Sequence, residues 1–286
     1  MTNTAQRIVW SAIAGSTLLL GGAAAFAAGH GPTFALATPT LARGQFSSDT
    51  MLMTLTNEND TAFMTREIIG YGVTEDFQLN LAFPLSPVLD KLEEPPRTRM
   101  NALMGGFGDV EASAMWRFHR NAFDVGKRFE STLLVSGSLP TDERRGGIGI
   151  GPSLNLAAVT GYVSRGWYAW AGGGFQYYFE HDEDQLGELP YLTAAVAWRP
   201  AFFRAPGRTD IRFFVESIAE FPHEDVQDGE DDPKSGGERV LAGPSILVLG
   251  GPFGLSAGAL FPVRQELDGN QAEEEFRLNL TFTYWF

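Results

Sequence analysis

Apolar and polar residues alternate along most of the chain after residue 44, which is the pattern of β-strands with two unlike faces. The alternation breaks at positions rich in Gly, Pro, Asn and Asp, which favour turns. We predict strands at 45–56, 62–73, 76–84, 106–119, 128–140, 147–159, 166–180, 189–199, 209–221, 238–249, 253–265 and 275–286. The predicted fold class is all-β: a transmembrane, antiparallel, up-and-down barrel of about twelve strands over residues 45–286.

The last predicted strand has one apolar face and one polar face. The apolar face carries Phe276, Leu278, Leu280, Phe282, Tyr284 and Phe286. Arg277, Asn279, Thr281 and Thr283 fall on the other face, so one side suits lipid and the other suits water. The strand resembles the closing strand of bacterial outer-membrane barrels, whose terminal Phe is part of an assembly signal. This resemblance implies that Phe282, Tyr284 and Phe286 form such a signal for a barrel assembly machinery.

The first 27 residues form a candidate export signal. Arg7 precedes an apolar run that reaches Phe26, and Ala25-Phe26-Ala27 supplies small residues for cleavage. We interpret residues 1–27 as a cleaved signal peptide, with a retained membrane anchor as the alternative. Residues 28–44 are then expected to be an N-terminal periplasmic segment. The chain has no cysteine, so disulfides and thiolate metal sites are excluded.

An even number of strands places both ends of the barrel-forming chain on the same side, which is the periplasmic side in bacterial barrels. With that polarity, the periplasmic connections are short, and all but the first two or three of the outer connections are strongly acidic. Segments 181–188, 220–233 and 266–275 hold 4, 7 and 5 acidic residues and no Lys or Arg, so the rest of the chain carries +2 where the whole carries −14. These segments are either solvated loops or a surface that attracts cations and bridges to lipopolysaccharide through divalent ions.

Aromatic residues sort to the two ends of the predicted strands, as in the girdles of membrane barrels. The periplasmic set is Trp116, Phe118, Trp167, Trp198, Phe253, Tyr284 and Phe286. The outer set is Phe83, Tyr177, Phe179, Phe221, Phe261 and Phe276.

The inward positions of the predicted strands carry charged groups that lipid would not tolerate. The candidates for a lumenal or selectivity role are Glu111, Arg117, Glu130, Arg212, Glu216, Arg239, Arg264 and Arg277. Two readings follow, which do not exclude each other: a network of Arg and Glu that braces the wall, or a selective constriction in a water-filled pore.

Catalytic and cofactor motifs are weak. His119 shares the predicted inward parity of Arg117, but no strand offers a convincing Ser and His pair for a lipid-acting enzyme, so we expect a non-enzyme without a cofactor. One metal hypothesis remains. If cleavage follows Ala27, the mature chain begins Ala28-Gly29-His30, and a free amine with His30 at the third position can chelate Cu²⁺.

Three motifs resemble a family of outer-membrane transporters linked by name to phenol-degradation pathways. They are the Gly106-Phe107-Gly108-Asp109 strand that ends in Trp116-Arg117-Phe118, the Tyr71–Phe77 strand and tight turn, and Ser138-Leu139-Pro140-Thr141. The resemblance implies a bacterial outer-membrane channel for passive passage of a small molecule or ion, with small hydrophobic or aromatic substrates. The alternative is a non-conducting structural or interaction barrel. Expected partners are outer-membrane lipid, lipopolysaccharide and a small-molecule substrate, with no nucleic acid.

Overall fold

The structure, a computed structural model, describes residues 31–59, 61–86, 109–140, 144–145, 148–149, 151–204 and 208–286. Its strands are β1 (Phe46–Asn57), β2 (Thr61–Gly72), β3 (Phe77–Ser86), β4 (Val110–Asp124), β5 (Lys127–Leu139), β6 (Arg144–Arg145), β7 (Ile148–Gly149), β8 (Ser153–Val163), β9 (Trp167–Tyr178), β10 (Leu189–Trp198), β11 (Asp210–Glu220), β12 (Asp225–Gln227), β13 (Glu230–Asp232), β14 (Gly237–Gly250), β15 (Phe253–Leu267) and β16 (Glu274–Trp285). A 3-10 turn covers Ala201–Arg204. The predicted signal peptide, residues 1–27, lies outside the described residues.

Twelve of these strands close into one antiparallel barrel, in which β16 returns to pair with β1. The pairs β6–β7 and β12–β13 are short hairpins in the connections between barrel strands. Closure pairs the backbone N–H and C=O groups of neighbouring strands all the way round, so the sheet has no free edge. The predicted fold class, an antiparallel barrel of about twelve strands, is confirmed.

The barrel wall is polar inside and apolar outside, as strand β8 shows. Ser153 and Asn155 are buried, whereas Leu154 and Leu156 are about half exposed on the exterior. A soluble protein would bury the leucines, because apolar surface in water costs about 25 cal/mol per Å². The same alternation recurs in β10 and β16, so the exterior is suited to hydrocarbon. No helix in the described residues is long and apolar enough to cross a bilayer.

Exposed aromatic side chains mark the end of the barrel where both termini of the sheet lie. Trp167 begins β9 and Trp198 ends β10, and their rings stack with centroids 6.3 Å apart. Around the closing seam a chain of ring contacts runs through Tyr71, Phe46, Phe286, Tyr284 and Phe253. In barrels of this type the end with both termini is periplasmic.

Two strands extend further toward the periplasm than predicted. Strand β4 reaches Asp124 rather than residue 119, and β8 reaches Val163 rather than residue 159. In β4 the last seven residues, 118–124, are all exposed, so neither face is buried there. A strand without a buried face shows no alternation of apolar and polar residues, so the sequence pattern does not predict it. This part of β4 is a strand because its backbone pairs with β5.

Two β-bulges reverse the facing of residues that parity had placed inside. The ladder between β4 and β5 skips Phe118, so His119 pairs with Ser131 on the exterior and Arg120 turns inward beside Glu130. The ladder between β14 and β15 skips Val263 in the same way. One extra residue in one strand shifts the side-chain period by one, so each later residue changes face.

Candidate functional site in the barrel lumen

Residues 31–42, which we call the lumenal segment, run inside the barrel. They were expected in a periplasmic segment over residues 28–44, and the structure differs because the wall offers them buried partners on many strands. Phe34 is fully buried and packs in a cluster with Ile218, Leu241 and Leu260. Leu36 and Leu41 belong to the main hydrophobic cluster inside the barrel. The segment therefore fills the lumen from its middle down to the periplasmic end.

Glu216, on β11, anchors the upper part of the lumenal segment. Its carboxylate accepts hydrogen bonds from the backbone N–H groups of Thr33 at 2.8 Å, Phe34 at 2.7 Å and Ala35 at 2.9 Å. Ser245 donates its hydroxyl to the same carboxylate from β14. Residues 33–35 do not pair with a neighbouring strand. The buried Glu216 carboxylate accepts their three backbone N–H groups instead.

Thr38 fixes the middle of the lumenal segment to the opposite wall. Its hydroxyl donates to Glu130 Oε2 at 3.1 Å and accepts from the indole Nε1 of Trp170 at 3.0 Å. Its carbonyl oxygen accepts from the hydroxyl of Thr132 at 2.8 Å. Glu130 and Thr132 are fully buried, so these hydrogen bonds satisfy polar groups in the barrel interior.

The lower end of the lumenal segment passes close to strands β2 and β3. Gln78 accepts the backbone N–H of Leu41 at 2.7 Å, and Thr40 donates to the carbonyl of Glu75 at 2.7 Å. At Gly72 a Cβ atom would lie 2.0 Å from the carbonyl oxygen of Ala42, a distance no side chain can occupy. Glycine at position 72 is therefore what allows the segment to turn into β1 against the wall.

Above the lumenal segment four charged side chains form a group that we call the rim network: Glu220, Arg239, Glu274 and Arg277. All four are at most 3 % exposed. Arg277 donates from Nε and Nη2 to the two carboxylate oxygens of Glu274 at 2.9 and 2.8 Å, and its Nη1 lies 3.3 Å from Glu220. Arg239 lies 3.7 Å from each carboxylate. Two cations and two anions balance, which is how a barrel interior tolerates buried charge.

A second buried pair lies across the lumen from the rim network. Arg66 on β2 is 1 % exposed, and its Nη2 lies 3.3 Å from Glu111 and 3.0 Å from the carbonyl oxygen of Asp109. Beside it a cavity of about 100 Å³ runs along the lumenal segment from Gly31 to Leu41.

The periplasmic end of the lumen opens into a larger cavity of about 460 Å³. Arg117 and Arg212 line it, as do Pro39 and Leu41 of the lumenal segment. Arg117 donates to the carbonyl of Glu75 at 2.7 Å and lies 2.7 Å from Asp76. Pro39 and Leu41 also line the smaller cavity, so the lumenal segment borders both cavities.

Seven of the eight predicted lumenal residues face the interior: Glu111, Arg117, Glu130, Arg212, Glu216, Arg239 and Arg277. Arg264 does not. After the bulge at Val263 it lies on the exterior, 57 % exposed, paired with Glu238 at 2.6 Å and Glu266 at 2.9 Å.

Several charged residues that face the interior were not predicted from the sequence. Arg66 was not singled out, although its even position in β2 matches buried Met64. Glu220 and Glu274 were counted with the acidic loops, yet both point into the rim network. Arg120 was assigned to a turn because the bulge at Phe118 was not foreseen. For Arg66 and Glu220, the parity of the strand is the signal that finds them. Glu274 has the parity of the exterior residue Phe276 and faces inward because the ladder between β1 and β16 skips Glu275.

The other predicted sites are the assembly signal at the C-terminal strand and the copper site at His30. Phe282 and Phe286 are about half exposed on the exterior, and Tyr284 contacts Phe253 and Phe286, so all three sit in the aromatic chain at the closing seam. Their assembly role stays a prediction. His30 lies outside the described residues, so the copper site stays one too. Within the described ranges no three His, Asp or Glu side chains are grouped to hold a metal ion.

Two of the acidic outer connections form an ordered cap rather than separate loops. The connection before β10 and the one after β11 pair through Gln185 and Val226, with two backbone hydrogen bonds of 2.9 Å. Asp225 is buried and accepts the backbone N–H of Gly187 at 2.6 Å, while Asp184 accepts that of Asp228 at 2.8 Å. These carboxylates are used to hold backbone donors, so they do not face solvent.

Comparisons with known proteins place the fold. No family model and no curated protein matches the chain. Among solved structures, the COG4313 outer membrane channel from Pseudomonas putida F1 aligns with a TM-score of 0.59 at 14 % identity, over 86 % of this chain and 97 % of that one. A NanC porin aligns with a TM-score of 0.48 at 9 % identity, over 82 % and 98 %. The likeness is one of fold.

The chain is an outer-membrane β-barrel. Its twelve-stranded closed sheet, apolar exterior and polar interior are the architecture that crosses this membrane.

Proposed function

We propose that the protein is an outer-membrane channel for the passive passage of a small molecule, and that the lumenal segment is its closed gate. The observation that carries the proposal is that Pro39 and Leu41 of the lumenal segment line both cavities. Together they follow the segment from Gly31 to the periplasmic mouth. The wall beside them is polar on β1 and β3, with Asp49, Gln78 and Asn80. The fold it shares with an outer membrane channel supports the same reading.

The way in which the lumenal segment is attached also supports a gate. Its backbone N–H groups donate to wall side chains such as Glu216, Thr193 and Gln78, so it is attached without joining the strand ladder. A hydrogen bond to a charged group contributes about 1.5–3 kcal/mol, and Glu216 receives three from the segment. The segment is therefore held closed at rest by these hydrogen bonds and by the burial of Phe34, Leu36 and Leu41, and its displacement leaves the barrel ladder intact.

The experiment that tests the gate replaces Glu216 with Gln. The amide has the size of the carboxylate, but it is neutral and one of its two acceptor atoms becomes an N–H₂ donor. At least one backbone N–H of Thr33, Phe34 or Ala35 then faces a donor. We expect Glu216→Gln to raise the rate at which a neutral pentose enters proteoliposomes.

The matched control is Glu266→Gln, which makes the same change on the exterior of the outer rim. It is expected to take up pentose at the wild-type rate. If Glu216→Gln, folded as judged by its heat-modifiable migration, takes up pentose no faster than wild type, the gate is not where we place it.

One observation favours the alternative, a non-conducting structural barrel. The interior above the lumenal segment contains the rim network, whose four side chains are buried and balanced in charge. A barrel braced in this way needs no passage. The two functions differ in one result: the structural barrel predicts no solute flux from wild type or from Glu216→Gln.

For the substrate, we propose small compounds with an aromatic or other apolar body. The periplasmic cavity supports this, because Tyr168, Trp170 and Val163 form part of its wall. Arg117 and Arg212 are the two predicted lumenal residues that line the same cavity. We assign them the selectivity role; the rim network and Glu216 we assign to bracing and gating.

A further inference from the structure

The periplasmic cavity concentrates positive charge to a degree that the rest of the interior does not. Six arginine side chains line it: Arg117, Arg120, Arg128, Arg165, Arg199 and Arg212. Glu75 is the acidic residue among its lining residues. We call this space the arginine cavity.

The carboxylates around the arginine cavity are too few for its guanidinium groups. Glu130 is shared, at 2.6 Å from Arg128, 3.4 Å from Arg117 and 3.9 Å from Arg120. Asp210 is shared too, at 2.8 Å from both Arg199 and Arg212. With Glu75 and Asp76, four carboxylates face six arginines, in contrast to the balanced rim network.

Two of the arginines have the weakest compensation. Arg120 is half exposed, and its nearest carboxylates, on Glu75 and Glu130, are each 3.9 Å away. Arg165 has no ion pair within the part of the chain that the structure describes, and its side chain lies over Gly126 at the cavity edge. A guanidinium presents up to five donors in a planar fork that fits a carboxylate. These two side chains are free to turn their donors toward a ligand.

Part of the wall of the arginine cavity is aromatic. Tyr168 and Trp170 are buried to 6 % and 4 % exposure, and their rings stack 5.6 Å apart at 14°. The guanidinium of Arg212 lies 5.0 Å from the centre of the Tyr168 ring. Leu41 and Pro39 of the lumenal segment complete an apolar surface beside these rings. A volume of about 460 Å³ falls in the range of small-molecule sites.

We infer that the arginine cavity binds a small aromatic carboxylate, with the carboxylate on Arg120 and Arg165 and the ring against Tyr168 and the lumenal segment. This inference rests on the proposed function and names the substrate class of the same passage. The excess of cations recognises the negative charge, and the aromatic wall recognises the apolar body. A ligand seated there touches the segment that closes the barrel.

The test measures benzoate binding to the purified full-length protein in detergent by titration calorimetry. We expect one saturable site in the wild type. Arg165→Gln is expected to weaken binding at least tenfold, because it removes the cation without a partner and leaves every described ion pair in place. Arg264→Gln is the matched control: it removes the same charge from the outer rim and is expected to bind benzoate as the wild type does.

Two further ligands separate the parts of the inference. Acetate keeps the charge and lacks the ring; benzyl alcohol keeps the ring and lacks the charge. Each is expected to bind at least tenfold more weakly than benzoate. Absence of saturable benzoate binding, or equal binding to Arg165→Gln and Arg264→Gln, overturns the arginine cavity as the site. Acetate binding as tightly as benzoate overturns the aromatic part.

The inference and the proposed function fail in distinguishable ways. Pentose flux that responds to Glu216→Gln in a protein that does not bind benzoate leaves the channel standing and removes the carboxylate site. Benzoate binding that Arg165→Gln weakens, in a barrel that passes no solute, leaves the site standing and removes the channel.

Discussion

Replacing Arg277 with Met should destabilise the barrel strongly, because two buried carboxylates lose their nearest cationic partner. Arg277 makes a bidentate contact with Glu274 at 2.8 and 2.9 Å and reaches Glu220 at 3.3 Å. Once it is removed, Arg239 is the remaining cation of the rim network, 3.7 Å from each carboxylate. Removing one partner of a buried ion pair costs about 3–5 kcal/mol. We expect a loss of that size in the free energy of unfolding.

The assay is denaturant unfolding of the refolded barrel in lipid vesicles. Arg264→Met is the matched control, since its guanidinium lies on the exterior between Glu238 and Glu266, and it should unfold at the wild-type midpoint. Adding Glu274→Gln to Arg277→Met should recover part of the loss, because Arg239 then faces a single charged carboxylate, Glu220. Equal unfolding midpoints for Arg277→Met and Arg264→Met would refute the argument.

Two other substitutions test other regions. Phe286→Ala should lower the assembled fraction, measured by heat-modifiable migration, because Phe286 stacks on Phe46 and Tyr284 at the closing seam. The control Phe179→Ala, at the other end of the exterior, should assemble like the wild type. Equal losses of assembly in the two variants would contradict a special role for the terminal residue. Gly72→Val should displace the lower end of the lumenal segment, because a Cβ would meet the Ala42 carbonyl at 2.0 Å, and limited proteolysis should then cut the segment faster. The control is Gly250→Val, where a Cβ meets nothing within 4 Å. Equal cleavage rates in the two variants would contradict the close packing at Gly72.

The barrel was predictable from sequence because its physics repeats with a period of two residues. Lipid on one side and a packed interior on the other give strands such as β8 and β16 a clean alternation. That alternation also placed Glu216 and Arg277 in the lumen. Where it lapses, as in the exposed end of β4, the predicted boundary was displaced.

The errors in facing have one local cause. A bulge is a single extra residue in one strand, and neither Phe118 nor Val263 differs in type from its neighbours on the exterior. Nothing in the pattern of residue types marks such a position, so His119 and Arg264 were assigned to the wrong face.

The lumenal segment escaped prediction for a different reason. Residues 31–42 contain Pro32 and Pro39 and follow neither a helical nor a strand period, so they read as an unstructured lead-in to β1. Their backbone donors are satisfied by side chains far away in sequence, above all by Glu216. The available signal was composition: Phe34, Leu36 and Leu41 are apolar residues in a segment assigned to water.

Single-channel recording in planar bilayers tests the central claim, that the barrel is a channel gated by its lumenal segment. The comparison is wild type against Glu216→Gln, because this isosteric change acts on the bonds that hold residues 33–35. We predict brief, infrequent openings from the wild type and long openings of larger conductance from Glu216→Gln. Electrically silent bilayers for both proteins, with the barrel shown to be folded and inserted, would contradict the account.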